Sequence, residues 1–146
     1  MEQLNSIIFY NLDKAIRTYR SFAQKKLKEN GFEITVDQWL VLKAITENPK
    51  ITQNEISHIV FKDNASVTRI ITLLVKSKYL VRDIDTNDRR KTNLEITIKG
   101  KELLMNVQST IENNRNIALA GISNKDLHLM NEHLINIAKN CEKKIT

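Results

Sequence analysis

One segment near the middle of the chain combines short hydroxyl and amide side chains with a single arginine. Helical spacing predicts that these residues share the exposed side of one helix, and they are Asn64, Ala65, Ser66, Thr68, Arg69 and Thr72. A helix fits the major groove of B-DNA, and short side chains with donors and acceptors let it approach the base edges. Arginine can form two hydrogen bonds with guanine, and asparagine can do the same with adenine. The segment therefore predicts a helix that reads double-stranded DNA.

A second polar stretch starts at Asp85 and ends in three consecutive basic residues, Arg89, Arg90 and Lys91. Turn-forming residues between two apolar stretches are typical of a hairpin tip. Arginines at such a tip are suited to a narrow minor groove. Asp88 is expected to orient one of the arginines, because a carboxylate in a DNA interface is costly without a partner. The stretch therefore predicts a second contact with DNA.

Positive charge is concentrated in the same part of the chain. The whole chain of 146 residues has a net charge of +6, and residues 62–101 hold ten basic and five acidic residues, a net of +5. A charge run alone is usually a solvated surface, so the local elements must decide its meaning. Beside a helix and a hairpin of this kind, it predicts contact with phosphates. Thr52 at a predicted helix start, its neighbour Gln53 and Lys62 are expected to make such contacts.

Apolar spacing and capping residues predict the elements that position these side chains. Thr35 with Gln38, and Thr52 with Glu55, have the spacing of capping boxes at helix starts. Leu94, Ile96 and Ile98 alternate with polar residues, which predicts a strand paired with another at about residues 80–84. The predicted helices lie at about residues 4–30, 35–47 and 63–77, with a short one that starts at Thr52 and two long ones that start at Thr97 and Ser123.

Composition excludes several other classes of protein. Three glycines and one proline are too few for a fold of many strands, and a single cysteine allows no intrachain disulfide. The sequence lacks an apolar run near 18 residues, so we expect a soluble, cytoplasmic protein with no membrane contact. It also lacks a glycine-rich phosphate loop and a serine elbow, so no catalysis and no cofactor are expected. His128 and Glu132 share a helix face without a third ligand nearby, so no metal site is expected.

The segment from Ala65 to Gly100 resembles the MarR (multiple antibiotic resistance regulator) family. The resemblance rests on Ser66-Val67-Thr68-Arg69, then Asp85-x-x-Asp88-Arg89-Arg90, then Ile96-Thr97-x-x-Gly100, and it extends over essentially the whole chain. It implies a bacterial transcription factor, usually a repressor, with a mainly α winged helix-turn-helix fold and a small β-hairpin wing. It further implies that the helix containing Arg69 enters the major groove and that a wing arginine enters the minor groove. Small aromatic or phenolic molecules are the ligands that such proteins bind.

Two positions depart from the family pattern. The family often has glycine where Lys78 stands and proline where Thr86 stands. Lys78 must either accept an unfavourable geometry at the helix end, or the helix ends differently. Thr86 is expected to loosen the turn of the wing.

The resemblance also implies a homodimer formed by the terminal helices. Both carry an apolar stripe at helical spacing, as a two-fold interface requires. The expected interface residues are Ile8, Leu12, Ala15, Tyr19, Met130, Leu134, Ile137 and Cys141. The predicted domains are an N-terminal dimerisation helix at residues 1–34, a winged helix-turn-helix domain at 35–100 and C-terminal dimerisation helices at 101–146.

Other interpretations stay open at this point. The alternative function is a winged-helix protein-interaction module that places its basic hairpin on an acidic protein. An RNA-binding domain is disfavoured, because Tyr79 is the only aromatic residue for base stacking in the basic segment. Trp39 is expected in the core, with a ligand pocket as the alternative. Cys141 is expected to be a buried thiol in the core or the dimer interface, in preference to a redox switch.

Overall fold

The computed structural model describes residues 1–88 and 92–145. In this part of the chain, six α-helices and one antiparallel hairpin form two compact units, which divide between Asn114 and Arg115. The elements are a 3-10 helix at Leu4–Ser6, α1 at Ile8–Glu29, α2 at Val36–Glu47, α3 at Gln53–Ile59, α4 at Asn64–Lys76, β1 at Leu80–Ile84, β2 at Thr92–Ile96, α5 at Ile98–Ala118 and α6 at Asn124–Ile145. The predicted fold class, mainly helical with a small hairpin, is confirmed. The three predicted domain boundaries remain predictions.

Local hydrogen bonds explain why α2 and α3 begin where the sequence predicts. The Thr35 hydroxyl accepts the Gln38 N–H at 3.0 Å, and the Gln38 side chain accepts the Thr35 N–H at 2.9 Å. Thr52 and Glu55 repeat this arrangement at 3.2 and 3.4 Å. Each box satisfies two N–H groups that a helix start otherwise leaves unpaired. Both predicted capping boxes are confirmed.

A continuous apolar core holds α2, α3, α4 and the hairpin together. Full burial of one aliphatic side chain stabilises a fold by about 1.5–3 kcal/mol, so these residues dominate the stability of the unit. The core residues are Ile34, Val41, Leu42, Ala44, Ile45, Ile51, Ile56, Val60, Val67, Ile71, Leu74, Leu80 and Leu94. A smaller cluster of Leu27, Val107 and Ile111 joins α1 to α5. The orientation of α3 and α4 is therefore fixed by packing.

Three helices of the first unit end at a residue in the left-handed conformation. These residues are Gly31 after α1 (φ 83°), Phe61 after α3 (φ 58°) and Lys78 after α4 (φ 66°). In each case the next N–H bonds back to the last turn, through Phe32 to Leu27 at 2.9 Å, Lys62 to Ser57 at 3.0 Å and Tyr79 to Leu74 at 3.0 Å. This is the Schellman motif, which glycine normally completes without strain. Lys78 thus accepts the unfavourable geometry, the first of the two expected solutions.

The hairpin is shorter than the sequence predicts. In the register of β1 and β2, Leu80 lies opposite Ile96 and Ile84 lies opposite Thr92. The predicted extension of the second strand to Ile98 is wrong. The Thr97 hydroxyl accepts the Gly100 N–H at 3.0 Å and so caps α5, as predicted for Thr97 itself. Ile98 is therefore the first residue of α5.

The N-terminal helix also begins later than predicted. Leu4–Ser6 forms one 3-10 turn, and Ile7 is extended (φ −85°, ψ 117°) before α1 starts at Ile8. The Ile7 side chain offers no oxygen to accept a helix N–H, so the cap lacks a side-chain hydrogen bond. The apolar spacing continues across this break, which explains why periodicity alone predicts one helix.

In the second unit, α6 starts as the sequence predicts. The Ser123 hydroxyl accepts the Asp126 N–H at 3.1 Å. No side chain from Asn124 to Lys144 is buried in the single chain. The apolar residues of α6 therefore remain on its surface. Among residues 1–88 and 92–145, no helix has the length and hydropathy to cross a bilayer.

Candidate nucleic-acid interface

Helix α4 has one buried face and one exposed face. Val67, Ile71 and Leu74 are at most 1% exposed and pack into the core. The opposite side, which we call the recognition face, is solvent-exposed and consists of Asn64, Ala65, Thr68, Arg69 and Thr72. Ser66 is half-buried beside it. The rigid apolar side thus presents the short polar side to solvent, as a groove-reading helix requires.

Two side-chain hydrogen bonds tie the start of α3 to the recognition face. The Gln53 amide nitrogen donates to the Thr68 hydroxyl at 2.6 Å. The Asn64 amide nitrogen donates to the Asn54 side-chain oxygen at 3.3 Å. These bonds supplement the core packing and hold the two helices in one orientation. The sequence places Gln53 at a phosphate contact but gives no sign of its bond to Thr68, since fifteen positions separate the two residues.

Most hydroxyl groups of α4 bond to the helix itself. The Thr68 hydroxyl donates to the Asn64 carbonyl at 2.8 Å, and the Thr72 hydroxyl donates to the Thr68 carbonyl at 2.8 Å. The Arg69 guanidinium donates to the Ser66 hydroxyl at 3.1 Å. A guanidinium has five N–H donors, so Arg69 keeps others for a base or a phosphate.

Asp63 caps the N-terminus of α4. Its carboxylate accepts the Ser66 N–H at 2.7 Å. This hydrogen bond lowers the pKa of Asp63 below its usual value of 3.8, and the Arg69 charge adds to the shift. The carboxylate therefore stays ionised at neutral pH and fixes the first turn of the recognition face.

Lys62, an expected phosphate contact, is paired with a carboxylate. Its ammonium lies 3.5 Å from one Asp37 oxygen, and the Arg20 guanidinium lies 3.1 Å from the other. Asp37 thus links α1, the start of α2 and the turn before α4. All three side chains are about one-third exposed, so solvent weakens the pairs to at most about 1 kcal/mol each. Sequence reasoning missed this cluster, because nothing local pairs residues so distant in the chain.

Thr52 and Gln53 lie at the N-terminus of α3. Thr52 is exposed, and its hydroxyl already serves the capping box. Gln53 is half-buried and contacts the recognition face through Thr68. Gln53 therefore borders the recognition face, and Thr52 precedes it in the chain.

The side chain of Asp85 holds the start of the wing tip. Its carboxylate accepts the N–H groups of Asn87 at 2.8 Å and Asp88 at 3.3 Å. Such a local bond replaces part of the rigidity that proline would give at Thr86. The predicted contacts Arg89, Arg90 and Lys91 lie outside the described residues.

The first unit contains a small apolar cavity. Its volume is about 220 Å³. Trp39 is half-buried, packs against both apolar clusters and lines this cavity, so it meets both expectations in part. The lining residues are Trp39, Lys43, Thr46, Leu104, Met105 and Gln108.

Of the eight expected dimer-interface residues, five are exposed in the single chain and three, Leu12, Tyr19 and Ile137, are half-buried. None is buried, and Ile8, Met130 and Leu134 are 60%, 45% and 44% exposed. Cys141 is exposed, so its predicted burial in the core is wrong and the dimer interface remains its expected location.

His128 pairs with Glu132 at 3.1 Å. Within residues 1–88 and 92–145, no three metal-ligating side chains of the His, Cys, Asp and Glu types cluster together.

The chain is similar to known transcriptional regulators. Residues 34–92, which include α2, α3, α4 and β1, match the MarR family model. The chain is 26% identical over 145 residues to the HTH-type transcriptional regulator SarZ of Staphylococcus epidermidis, covering 97% of this chain and 94% of that protein. It is 26% identical to a MarR protein from Peptoclostridium difficile, with a TM-score of 0.83 over 99% of this chain and 93% of that one.

A more distant structure shares the fold. Bordetella bronchiseptica BpsR, whose DNA binding is regulated by 6-hydroxynicotinic acid, is 19% identical with a TM-score of 0.84, over 94% of this chain and 97% of that one. The family match, the relatives and the exposed polar face of α4 lead to one conclusion. The chain has the winged-helix fold of known transcriptional regulators, and its residues 34–92 match the MarR family model.

Proposed function

We propose that the protein binds a pseudo-palindromic operator as a homodimer and represses transcription until a small aromatic ligand releases it. The observation that carries the proposal is the recognition face of α4, which is polar, exposed and held in place by the bond from Gln53 to Thr68. A helix side that packed into the core would carry apolar residues, because burying polar side chains is costly. On DNA this face enters the major groove.

The proposed contacts divide into three groups. Asn64, Ala65, Ser66, Thr68, Arg69 and Thr72 read bases in the major groove. Thr52, Gln53 and Lys62 contact the phosphates beside it. The basic residues Arg89, Arg90 and Lys91 of the wing, oriented by Asp88, enter the minor groove. The combination supplies the phosphate contacts that position a protein and the base contacts that specify its sequence.

The homodimer is supported by apolar surface that the single chain leaves uncovered. In α1, Ile8, Phe9 and Ile16 are 60%, 60% and 49% exposed. In α6, Met130, Leu134 and Ile135 are 45%, 44% and 47% exposed. A second copy that covers these residues removes the surface from water, which is the main driving force for such association. Two copies then place two α4 helices on half-sites about 34–36 Å apart.

Repression follows from the size of such a complex. A dimer that occupies two half-sites within a promoter excludes other proteins from the same DNA. The resemblance to the MarR family, whose members are usually repressors, supports this direction.

The cavity beside Trp39 is the proposed ligand site. At about 220 Å³ it is smaller than a drug-sized pocket and suits a single aromatic ring. Lys43 lies on its lining and can pair with a carboxylate. By analogy with the regulation of BpsR, we propose a monocyclic aromatic acid. Salicylate and 6-hydroxynicotinic acid should raise the melting temperature of the protein. Phenol, which has the ring without a carboxylate, serves as the control ligand. Lys43→Met should reduce the melting-temperature shift caused by the two acids more than it reduces the shift caused by phenol.

Selection of genomic fragments with the purified protein, followed by footprinting, tests DNA recognition. We expect a protected site with two-fold symmetry. If the dimer neutralises roughly 6–10 phosphates, affinity should fall about 10³–10⁵-fold between 50 and 200 mM salt. A protein-interaction module would instead show no protected site and would bind an acidic protein in the same titration.

Matched arginine variants separate base contact from general charge. Arg69→Ala should lose about 1–3 kcal/mol of binding free energy and relax sequence choice. Arg17→Ala removes the same charge from an exposed pair with Asp13 in α1, and should bind as the wild type does. Equal binding by all three proteins would remove Arg69 from the interface.

Sedimentation tests the dimer. Leu134→Asp places a charge on the exposed apolar stripe of α6 and should produce monomers. Asn136→Asp adds the same charge on a different face of the helix and should leave the dimer intact. A wild-type protein that sediments as a monomer at micromolar concentration would contradict the proposal.

A further inference from the structure

The hydrogen bonds of Thr68 leave little for a base edge. A threonine hydroxyl has one donor hydrogen and two acceptor lone pairs. At Thr68 the hydrogen goes to the Asn64 carbonyl at 2.8 Å, and one lone pair accepts from Gln53 at 2.6 Å. The hydroxyl therefore has one lone pair left and no hydrogen to donate to a base, and the methyl group is the larger part that Thr68 can still present.

Two neighbours on the recognition face likewise have no hydroxyl hydrogen to donate to a base. The single hydroxyl hydrogen of Thr72 goes to the Thr68 carbonyl at 2.8 Å. Ala65 carries only a methyl group, and all three residues are exposed. Positions 65, 68 and 72 follow each other at intervals of three and four, so they lie on one side of the helix. They form a row of methyl groups about 10 Å long, comparable to about three stacked bases.

We propose that Ala65, Thr68 and Thr72 read the C5 methyl groups of thymines in the major groove, with Thr68 as the central specificity-determining residue. The inference rests on the proposed function, because it assigns the kind of base that this DNA-binding face selects. Methyl contact between such side chains and thymine is an established mode of direct readout. Here the hydrogen bonds inside the protein use both hydroxyl hydrogens, so Thr68 and Thr72 cannot donate to a base without breaking them.

Arg69 has a complementary role on the same face. One of its N–H groups bonds to Ser66, and the remaining donors are free for an acceptor such as guanine. Methyl groups on one side and a guanidinium on the other predict a half-site in which thymines adjoin a guanine.

Replacing thymine by deoxyuridine tests the proposal directly. Deoxyuridine lacks only the C5 methyl group and keeps the base-pairing edge and the phosphates. Each thymine in one half-site of a selected fragment is replaced in turn, and the dissociation constants are measured for the wild type, Thr68→Ser and Thr68→Val. A substitution outside the footprint provides the DNA control.

The wild type should bind about fourfold more weakly when the thymine opposite Thr68 is replaced, the value of one buried methyl group. Thr68→Ser keeps the hydroxyl and loses the methyl group, so it should bind thymine and deoxyuridine at that position equally. Thr68→Val keeps methyl groups and loses both hydrogen bonds, and it should still prefer thymine.

The opposite pattern overturns the proposal. If the wild type protects a selected fragment yet shows no position that distinguishes thymine from deoxyuridine, methyl reading is refuted and DNA binding stands. If Thr68→Ser keeps the full preference for thymine at the position opposite Thr68, the proposal is also refuted, because the methyl group of Thr68 is then not the source of the preference at that base. If the protein selects no fragment at all, the proposed function itself fails, and the inference fails with it.

Discussion

Replacing Lys78 by glycine should stabilise the protein. An L-residue in the left-handed conformation costs about 1–2 kcal/mol, and Lys78 has a φ of 66°. Glycine removes that cost but adds about 0.5–1 kcal/mol of chain entropy to lose on folding. The Lys78 side chain is exposed, and the helix-end bonds from Lys78 to Val75 and from Tyr79 to Leu74, both 3.0 Å, use only the backbone. We therefore expect a net gain of about 0.5–1 kcal/mol in the free energy of unfolding.

Urea denaturation at one fixed protein concentration measures this gain. With a slope of about 2 kcal/mol per molar urea, the midpoint should rise by about 0.3–0.5 M. The concentration must be fixed because association would itself stabilise the folded state.

Two control variants isolate the backbone term. Lys78→Ala removes the side chain but keeps the strain, so its midpoint should match the wild type. Gly31→Ala should move in the opposite direction by about 0.5–1 kcal/mol, because Gly31 has a φ of 83° and an added Cβ meets no atom within 4 Å, so strain and chain entropy alone decide the change. Equal midpoints for Lys78→Gly and Lys78→Ala would refute the reasoning. Phe61→Gly should repeat the gain, since Phe61 is 86% exposed and has a φ of 58°.

Three further variants test other contacts in the first unit. Gly100→Ala should destabilise the protein by about 1–3 kcal/mol in the same assay, because an added Cβ would overlap the Tyr79 carbonyl oxygen; an unchanged midpoint would contradict this. The pKa of Asp63 is lowered in the folded protein, so the ionised carboxylate stabilises the folded protein fully above about pH 3.8. This stabilisation is lost as the pH falls through the lower pKa of the folded state. The stability difference between wild type and Asp63→Asn should shrink over that acidic range, and a difference independent of pH would count against the cap. Asp37→Asn should remove the carboxylate that competes with a DNA phosphate for Lys62 at 3.5 Å, which strengthens DNA binding at low salt; weaker binding would show that Asp37 positions Lys62.

The predictable parts of the fold depend on local chemistry. The caps at Thr35 and Thr52 combine a hydroxyl with a partner three residues later, a pattern visible in the sequence. The Ile98 prediction failed because alternation of apolar residues continued past Thr97, whose hydroxyl ends the strand by capping a helix. The alternation of apolar and polar residues alone does not show whether Thr97 continues the strand or caps a helix.

For the candidate site, the sequence predicts which residues of α4 are exposed, but it does not predict their hydrogen-bond and ion-pair partners. The recognition face follows from helical spacing, since Val67 and Ile71 mark the opposite, buried side. The pairing of Lys62 with Asp37 required the tertiary fold, which brings the turn before α4 next to the start of α2. Hydrogen bonds between distant positions leave no periodic trace in one sequence.

The short bond between Gln53 and Thr68 constrains how operator preference can change over time. If Thr68 reads a base as proposed, replacing it alters the preferred base and also leaves the Gln53 amide without its partner. A shift to a new target site is therefore expected to need two coordinated substitutions, one on each helix. Paralogues with different operators should accordingly differ at both positions together, and chimeras that exchange only one should lose affinity for either operator.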